Sequence, residues 1–419
     1  MIYLILLLAF VVRLINLNQS LWLDEAITAQ VVIKYPFWEI ITKFALGDVH
    51  PPLYYLLVKF WSQIFGHSEI SLRFPSVIFG TLTVFFVFLI ANKLLNQKTA
   101  ALAAFFLALN PLAVYYSQEA RSHVVAMFFV TAAMYFFIAK KRFLFAFFWL
   151  AAMYTDYLPW LLWPLFLRYW PVGLLAAPVL PILWHQVNLG VLVADNHPLW
   201  GKVVGGLEPK SVPLTLVKFI FGRITIDNKI SYALTFGPVS ALYLWILSNA
   251  KTKILWLWLG LPIALGFLVS FFVPVYSYFR FLFVLPAFVI LLAEGAKNNI
   301  KFITFIIIIN IISLAIFNLN PKFFREDWRG AVAYMEKGSG RAFIPSLAQA
   351  PAVYYYRKTL PINDRDSINL AGEKNIYLIR YVQEIFDQRD FLKNIVEAAG
   401  YKKIEEKFFN GVLIWKYQI

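Results

Sequence analysis

PPLYYLLVKFWSQIF, residues 51–65, is the stretch on which the reading of the fold turns. It is apolar enough to be taken for a membrane span. At about 1.5 Å per residue, however, it reaches only about 21 Å, short of the roughly 30 Å hydrocarbon core. Lys59, Ser62 and Gln63 share one helical face, so the segment is predicted to lie in the interface rather than to cross.

The chain around it is that of a polytopic α-helical membrane protein. Hydrophobic residues make up 61% of the 419, mean hydropathy is +0.67, and apolar stretches recur from Ile2 to Phe317. About eleven spans are predicted, near residues 2–17, 74–92, 100–114, 122–139, 143–155, 157–168, 171–186, 232–247, 254–272, 278–293 and 302–317. With residues 51–65 interfacial, Lys93, Lys98, Lys140, Lys141, Arg142, Arg168, Lys251, Lys253, Lys297 and Lys301 all fall on one side, which the positive-inside rule makes cytoplasmic. Counting that segment as a span instead places the Lys93–Lys98 loop outside and spoils every later loop. The N-terminus is therefore predicted inside, in a plasma membrane. The first segment, without a basic start or a small-residue cleavage site, reads as a retained helix rather than a signal peptide.

Charge divides the chain in two. Residues 321–419 carry 16 Lys/Arg and 12 Asp/Glu, against 33 charged residues in all of 1–320. Asn320 and Pro321 punctuate the change, predicting a membrane domain over 1–320, with a first external loop at about 18–71, and a small extracytoplasmic α/β domain over 321–419. In that tail helices are predicted over 326–337, 347–357 and 386–399, a short apolar stretch over 342–345, a strand over 375–380 and two strands within 401–416. Most of the net +15 lies between hydrophobic segments, where topology explains it, so no nucleic-acid partner is implied. Without cysteine there is neither disulfide nor thiolate chemistry.

Polar residues gather on the other face in four stretches. SLWLDEAITAQ places Asp24 and Glu25 just past the first span, where an ionisable group near hydrocarbon is a functional hypothesis by default; as first-turn acids they can equally just start a helix. Pro51 and Pro52 can begin a helix that leaves His50 at its positive end, either as a cap or facing a phosphate or hydroxyl. NPLAVYYSQEARSH carries Glu119 and Arg121, readable as an isolated ion pair. Arg280, in VPVYSYFRFLFVLP, either snorkels to headgroups or grips a lipid-linked phosphate. His185, Asp195 and His197 around one external loop suit a metal by type but not by spacing. The Asp364–Asp366 triplet resembles sugar-nucleotide acid pairs but sits in a polar loop, and Asn18 opens an N-x-S sequon. No P-loop or HExxH pattern is present.

Taken together, LWLDEA, HPPLYY, SLRFPS, NPLAVYYSQEAR and YFRFLFVLP, in that order, resemble the GT-C class of membrane glycosyltransferases that use polyprenyl-phosphate sugars. This superfamily includes protein O-mannosyltransferases and lipid A aminoarabinose transferases. The resemblance implies a sugar transfer at the extracytoplasmic face from a polyprenyl-phosphate donor, undecaprenyl or dolichyl, to a protein, lipid or glycan acceptor. It makes Asp24 the general base, with Glu25 in support, and Glu119 a second acid that orients the acceptor or, with Asp24, holds a divalent cation. Metal dependence stays open, because Val49 rather than an acid precedes His50. Arg280 and Arg121, with His50 in reserve, are the expected donor-phosphate ligands. A transporter or flippase of lipid-linked glycans is the rival reading; it would place polar residues at mid-membrane depth, often with inverted repeats. A non-enzymatic protein that only presents its external tail is the third.

Overall fold

The computed structural model describes residues 1–196, 199, 206–338, 340–356, 359–362, 370 and 372–419. The Asp195 side chain, His197 and the Asp364–Asp366 triplet lie outside the described residues; His185 is exposed on the helix Leu180–Asn196.

Among the described residues four helices are long and apolar enough to cross a membrane: Glu69–Leu94, Lys229–Ser248, Tyr278–Ala296 and Ile300–Leu319. Counting each of two bent pairs as one span raises the number to six. Five further apolar helices are shorter: Ile2–Leu14, Ser122–Ile138, Arg142–Thr155, Ser211–Phe221 and Lys253–Val269. Long helices, bent pairs and shorter helices together make eleven apolar segments, in keeping with the number predicted, but they do not map one to one onto it. The stretches predicted as spans near 157–168 and 171–186 are two limbs of one pair bent by 82°, and Ser211–Phe221 is a helix the hydropathy reading passed over. Prolines at 159, 164, 171, 178 and 181 explain the break, since each removes a backbone donor and clashes with the preceding turn. Much of that first limb, Leu158–Tyr169, is a 3-10 helix, which rises more per residue than an α-helix.

The second bend, of 57°, separates Gln97–Ala108 from Pro111–Ser117. Asn110 caps the second limb, accepting from the N–H groups of Leu112 and Ala113, and its own amide donates to the Phe219 carbonyl at 2.8 Å. The carbonyls left at the end of the first limb meet a buried cation: Arg13 donates to Ala108 O at 3.2 Å and to Ser117 Oγ at 3.0 Å. This corner aims residues 115–121 at the mouth of the bundle.

Residues 51–65 do form a short helix, Leu53–Phe65, opened by the two prolines and closed at Gly66, whose φ of +77° suits glycine. Of the three polar residues predicted to share one face, Gln63 is exposed while the other two turn inward. Lys59 donates inward to Val32 O at 2.6 Å and Ser62 is buried, whereas Phe60, Ile64 and Phe65 point outward. Where the surroundings are apolar, polar groups gain more by satisfying the backbone inside than by facing out.

The tail is a five-stranded mixed sheet, β1 (Arg341–Pro345), β2 (Thr359–Ile362), β3 (Asn375–Arg380), β4 (Lys402–Phe409) and β5 (Val412–Gln418), in the order β2-β1-β3-β5-β4. β1 runs parallel to β2 and β3, and β5 antiparallel to β3 and β4. The alternation along β3 sends Tyr377 and Ile379 to a core with Trp328, Val332 and Met335, and Ile376 and Leu378 to one with Leu392 and Val396. The predicted helix over 386–399 is split, because Asp387 turns to cap the helix Phe391–Ala398 through the Phe391 N–H at 2.7 Å.

The tail seats on the first loop. Tyr355 OH donates to Glu69 at 2.8 Å and accepts from the Leu21 N–H at 2.9 Å, Tyr354 OH donates to His67 O at 2.9 Å, and Gln30 donates to Ala350 O at 2.7 Å. Tyr354 and Tyr355 thus hold the tail against the first loop. Asn96, Lys98, Lys297 and Asn298 line a shared cleft at the far end of the bundle, about 39 Å from Glu69 along the 26-residue helix Glu69–Leu94.

Candidate active site

The site is assembled at the mouth by segments from along the whole chain. The helix Leu23–Lys34 carries Asp24 and Glu25 in its first turn, where its free N–H groups and dipole favour acids. The two adjacent carboxylates meet opposite environments. Glu25 is fully buried: Arg73 donates to it through Nε at 2.7 Å and Nη2 at 2.5 Å, and the Ala120 N–H donates at 2.8 Å. Burial alone would raise its pKa, but Arg325 and Arg73 beside it outweigh that and hold it below the ordinary range, so it is a fixed anion. Arg73 spends its remaining donors on the carbonyls of Leu17, Gln19 and Ser20, which fixes the loop leading to Asp24. Asp24 keeps 30% of its side chain exposed and faces Arg121 Nη2 at 3.3 Å.

Residues 118–121 form the second segment. Glu119 is buried; Arg325 donates to its Oε1 at 3.1 Å, and its Oε2 is buried without a hydrogen-bond partner among the described residues. Burial outweighs Arg325 and raises the Glu119 pKa. The Arg325 guanidinium also stacks on Tyr115, 4.9 Å from the ring centre. Arg223 lies over the same ring at 4.8 Å and donates to the Tyr115 hydroxyl at 2.7 Å, and among the described residues it forms no ion pair.

Residues 48–50, 123 and 156, from separate parts of the chain, add two histidine–carboxylate pairs. His50 Nδ1 lies 3.5 Å from Asp48, His123 Nδ1 lies 3.7 Å from Asp156, and the two rings are 6.1 Å apart. Tyr55 OH donates to Asp48 at 2.7 Å, and Gln186 donates to the His50 carbonyl at 3.1 Å. Arg280 opens the helical segment Tyr278–Val284, half-buried, within electrostatic reach of Asp156, Arg121 and Asp24. Its guanidinium donates to Val275 O at 3.4 Å and forms no ion pair among the described residues.

Asp24, Glu25, Glu119, Arg121 and Arg280 thus come together from positions more than 250 residues apart, and His50 stands one ring away from His123. Glu25 is brought there as a closed ion pair rather than as a free base. Asp24 and Glu119 each face an arginine, Arg121 and Arg325 respectively. Among the described residues no group of three or more His, Asp or Glu is arranged to hold a metal ion. Sequence reasoning gave no role to Arg73, Arg223, Arg325 or His123. Arg73 had a signal, a charge opening an apolar helix; Arg325 had none, since one arginine in a charged tail looks like surface.

A family model described as dolichyl-phosphate-mannose-protein mannosyltransferase matches residues 49–170, which hold His50, Glu119 and Arg121 but neither Asp24 nor Arg280. No curated protein matches the sequence. Among solved structures, ArnT from Cupriavidus metallidurans bound to undecaprenyl phosphate is similar at 12% identity, over 99% of this chain and 96% of that one, with a TM-score of 0.54. Archaeoglobus fulgidus oligosaccharyltransferase AglB, in complex with an inhibitory peptide and a dolichol-phosphate, is similar at 11% identity, over 99% of this chain and 74% of that one, also with a TM-score of 0.54. The chain therefore shares the membrane-protein fold of ArnT and AglB over nearly its whole length, with a small sheet domain at its C-terminus.

Proposed function

We propose that this protein is an integral membrane glycosyltransferase that moves a sugar from a polyprenyl-phosphate donor to a protein, lipid or glycan acceptor, with Asp24 as general base. The observation that carries the reading is the contrast within the Asp24–Glu25 pair: one carboxylate locked by Arg73, the other partly open beside Arg121 and near Arg280. The undecaprenyl phosphate and dolichol-phosphate bound by the two relatives support the donor class.

In this reaction the acceptor hydroxyl or amine attacks the anomeric carbon and gives its proton to Asp24. The carbon–oxygen bond to phosphate breaks, and the electron pair leaves with the polyprenyl phosphate. Displacement in one step inverts the sugar. Charge grows on the departing phosphate, so cations without a fixed carboxylate partner accelerate it most. Arg280 and Arg223 meet that condition; Arg121, tied to Asp24, holds the base in place and joins them as the phosphate approaches. Glu119 orients the acceptor, and His50, buried beside Asp48, completes the wall. The lysine-rich end is taken as cytoplasmic, which places the N-terminus inside and the site and tail on the outer face of a plasma membrane.

The test is release of free polyprenyl phosphate by the full chain in nanodiscs, given a panel of polyprenyl-phosphate sugars and an envelope acceptor fraction. Release that a folded Asp24→Asn variant loses supports the reading. Silence with every donor favours a flippase, and equal release by both proteins removes Asp24 as the base.

A further inference from the structure

The junction between the two domains does not stay at the surface. Asn410, in the β4–β5 turn, donates to the carbonyls of Phe324 and Arg325, both at 3.0 Å, and accepts from the Asp327 N–H through its own carbonyl at 2.9 Å. The Arg325 N–H donates to Gln19 of the first loop at 2.7 Å. Held from both sides, Arg325 sends its guanidinium inward until only 8% of the side chain is exposed. There it lies 3.1 Å from Glu119, 3.6 Å from Glu25 and 3.0 Å from the Gln118 carbonyl, stacked on Tyr115. Glu25 has Arg73; Glu119, among the described residues, has Arg325 as its ion-pair partner.

We propose that Arg325 is a positioning residue through which the tail sets the active site: it holds the 118–121 segment, and with it Arg121 against Asp24, so that the base is aligned when the tail is docked. The proposal rests on the glycosyltransferase reading for its activity arm, and stands without it for its structural arm. A lone buried carboxylate is costly, so removing the guanidinium leaves Glu119 to protonate or to move, and the segment that carries it moves too. The tail is on this view a working part of the site rather than a separate recognition module.

The experiment compares full-length wild type, Arg325→Met, Arg325→Lys, Glu119→Gln and the Glu119→Gln/Arg325→Met double variant in nanodiscs. Arg325→Met is expected to lower kcat about 100-fold while KM for the donor stays within about threefold, as misplacement of a base does. Arg325→Lys is expected to recover much of the loss. The double variant is expected to be no worse than Glu119→Gln alone, because both changes remove one interaction. Additive losses, or a donor KM that rises with kcat unchanged, would show instead that Arg325 touches the substrate and would overturn the proposal. Hydrogen exchange read on the same proteins without substrate keeps the two readings apart. Faster exchange over residues 115–122 in Arg325→Met supports the coupling even if no donor is ever turned over, and unchanged exchange sinks it even if the wild type proves to be a glycosyltransferase. Arg325→Gln, which removes the charge but keeps a polar side chain, supplies both measurements if Arg325→Met does not fold.

Discussion

Glu25 and Arg73, 48 residues apart in the chain, close on each other through two hydrogen bonds of 2.7 and 2.5 Å with neither side chain exposed. Breaking one side of a buried pair leaves an uncompensated charge and typically costs about 3–5 kcal/mol. Arg73→Met is therefore expected to lower the thermal unfolding midpoint in detergent by many degrees, and more than Asp24→Asn does. Equal midpoints would mean that the pair is not structural.

Asp24 stands at the open edge of the same helix turn, and its loss should cost chemistry rather than stability. Asp24→Asn is expected to reduce polyprenyl phosphate release by about 100-fold or more, the scale of general base catalysis, with the midpoint nearly unchanged. Retained turnover in the folded variant would move the base elsewhere.

Among the described residues Arg280 holds no carboxylate in an ion pair, so its charge is free for the leaving group. Arg280→Met is expected to depress kcat about 100-fold, the usual loss for a donor aimed at developing negative charge, with a smaller effect on donor KM. A change confined to KM would make it a ground-state anchor instead.

Glu119 gives the pH dependence. Burial lifts its pKa above the ordinary value of 4.5 despite Arg325, with Glu25, Arg223, Arg121, Tyr54, Tyr115 and Tyr116 among the other titratable groups that interact with it. If its anion orients the acceptor, activity falls as pH drops through that raised value, so the acid limb of kcat/KM lies above the ordinary carboxylate range. Arg325→Met removes a cation that favours the charged form, which raises the pKa further and shifts the limb to still higher pH. A limb that stays put in Arg325→Met, or that survives in Glu119→Gln, excludes Glu119 as its source.

Tyr355 tests the docking of the tail. Its hydroxyl serves both Glu69 and the Leu21 N–H, and Tyr355→Phe removes two hydrogen bonds worth about 1 kcal/mol each. Limited proteolysis is expected to cut the junction near residues 320–327 faster in this variant, and an unchanged rate would show that the tail is held by other contacts.

The amino-acid sequence by itself determined the helical membrane class and the presence of a small sheet-bearing tail, because hydropathy and charge are local sums that need no partner to be read. It also placed β3 correctly, since alternation over Asn375–Arg380 is a property of one strand. In the proline-rich run from Pro159 packing decides between two spans and one bent pair, and the bend at Asn110 lies inside a stretch that hydropathy reads as one span. In Leu53–Phe65 only the neighbours showed that Lys59 and Ser62 turn inward. Within the site, Asp24 and Glu25 are indistinguishable as letters. Tertiary structure alone separated them, by putting Arg73 against one and leaving the other beside Arg121 at the mouth. The same holds for Arg325, a surface residue by composition and a buried cation by position. Charges act through distance and burial, and both are set only when segments hundreds of residues apart are brought into contact.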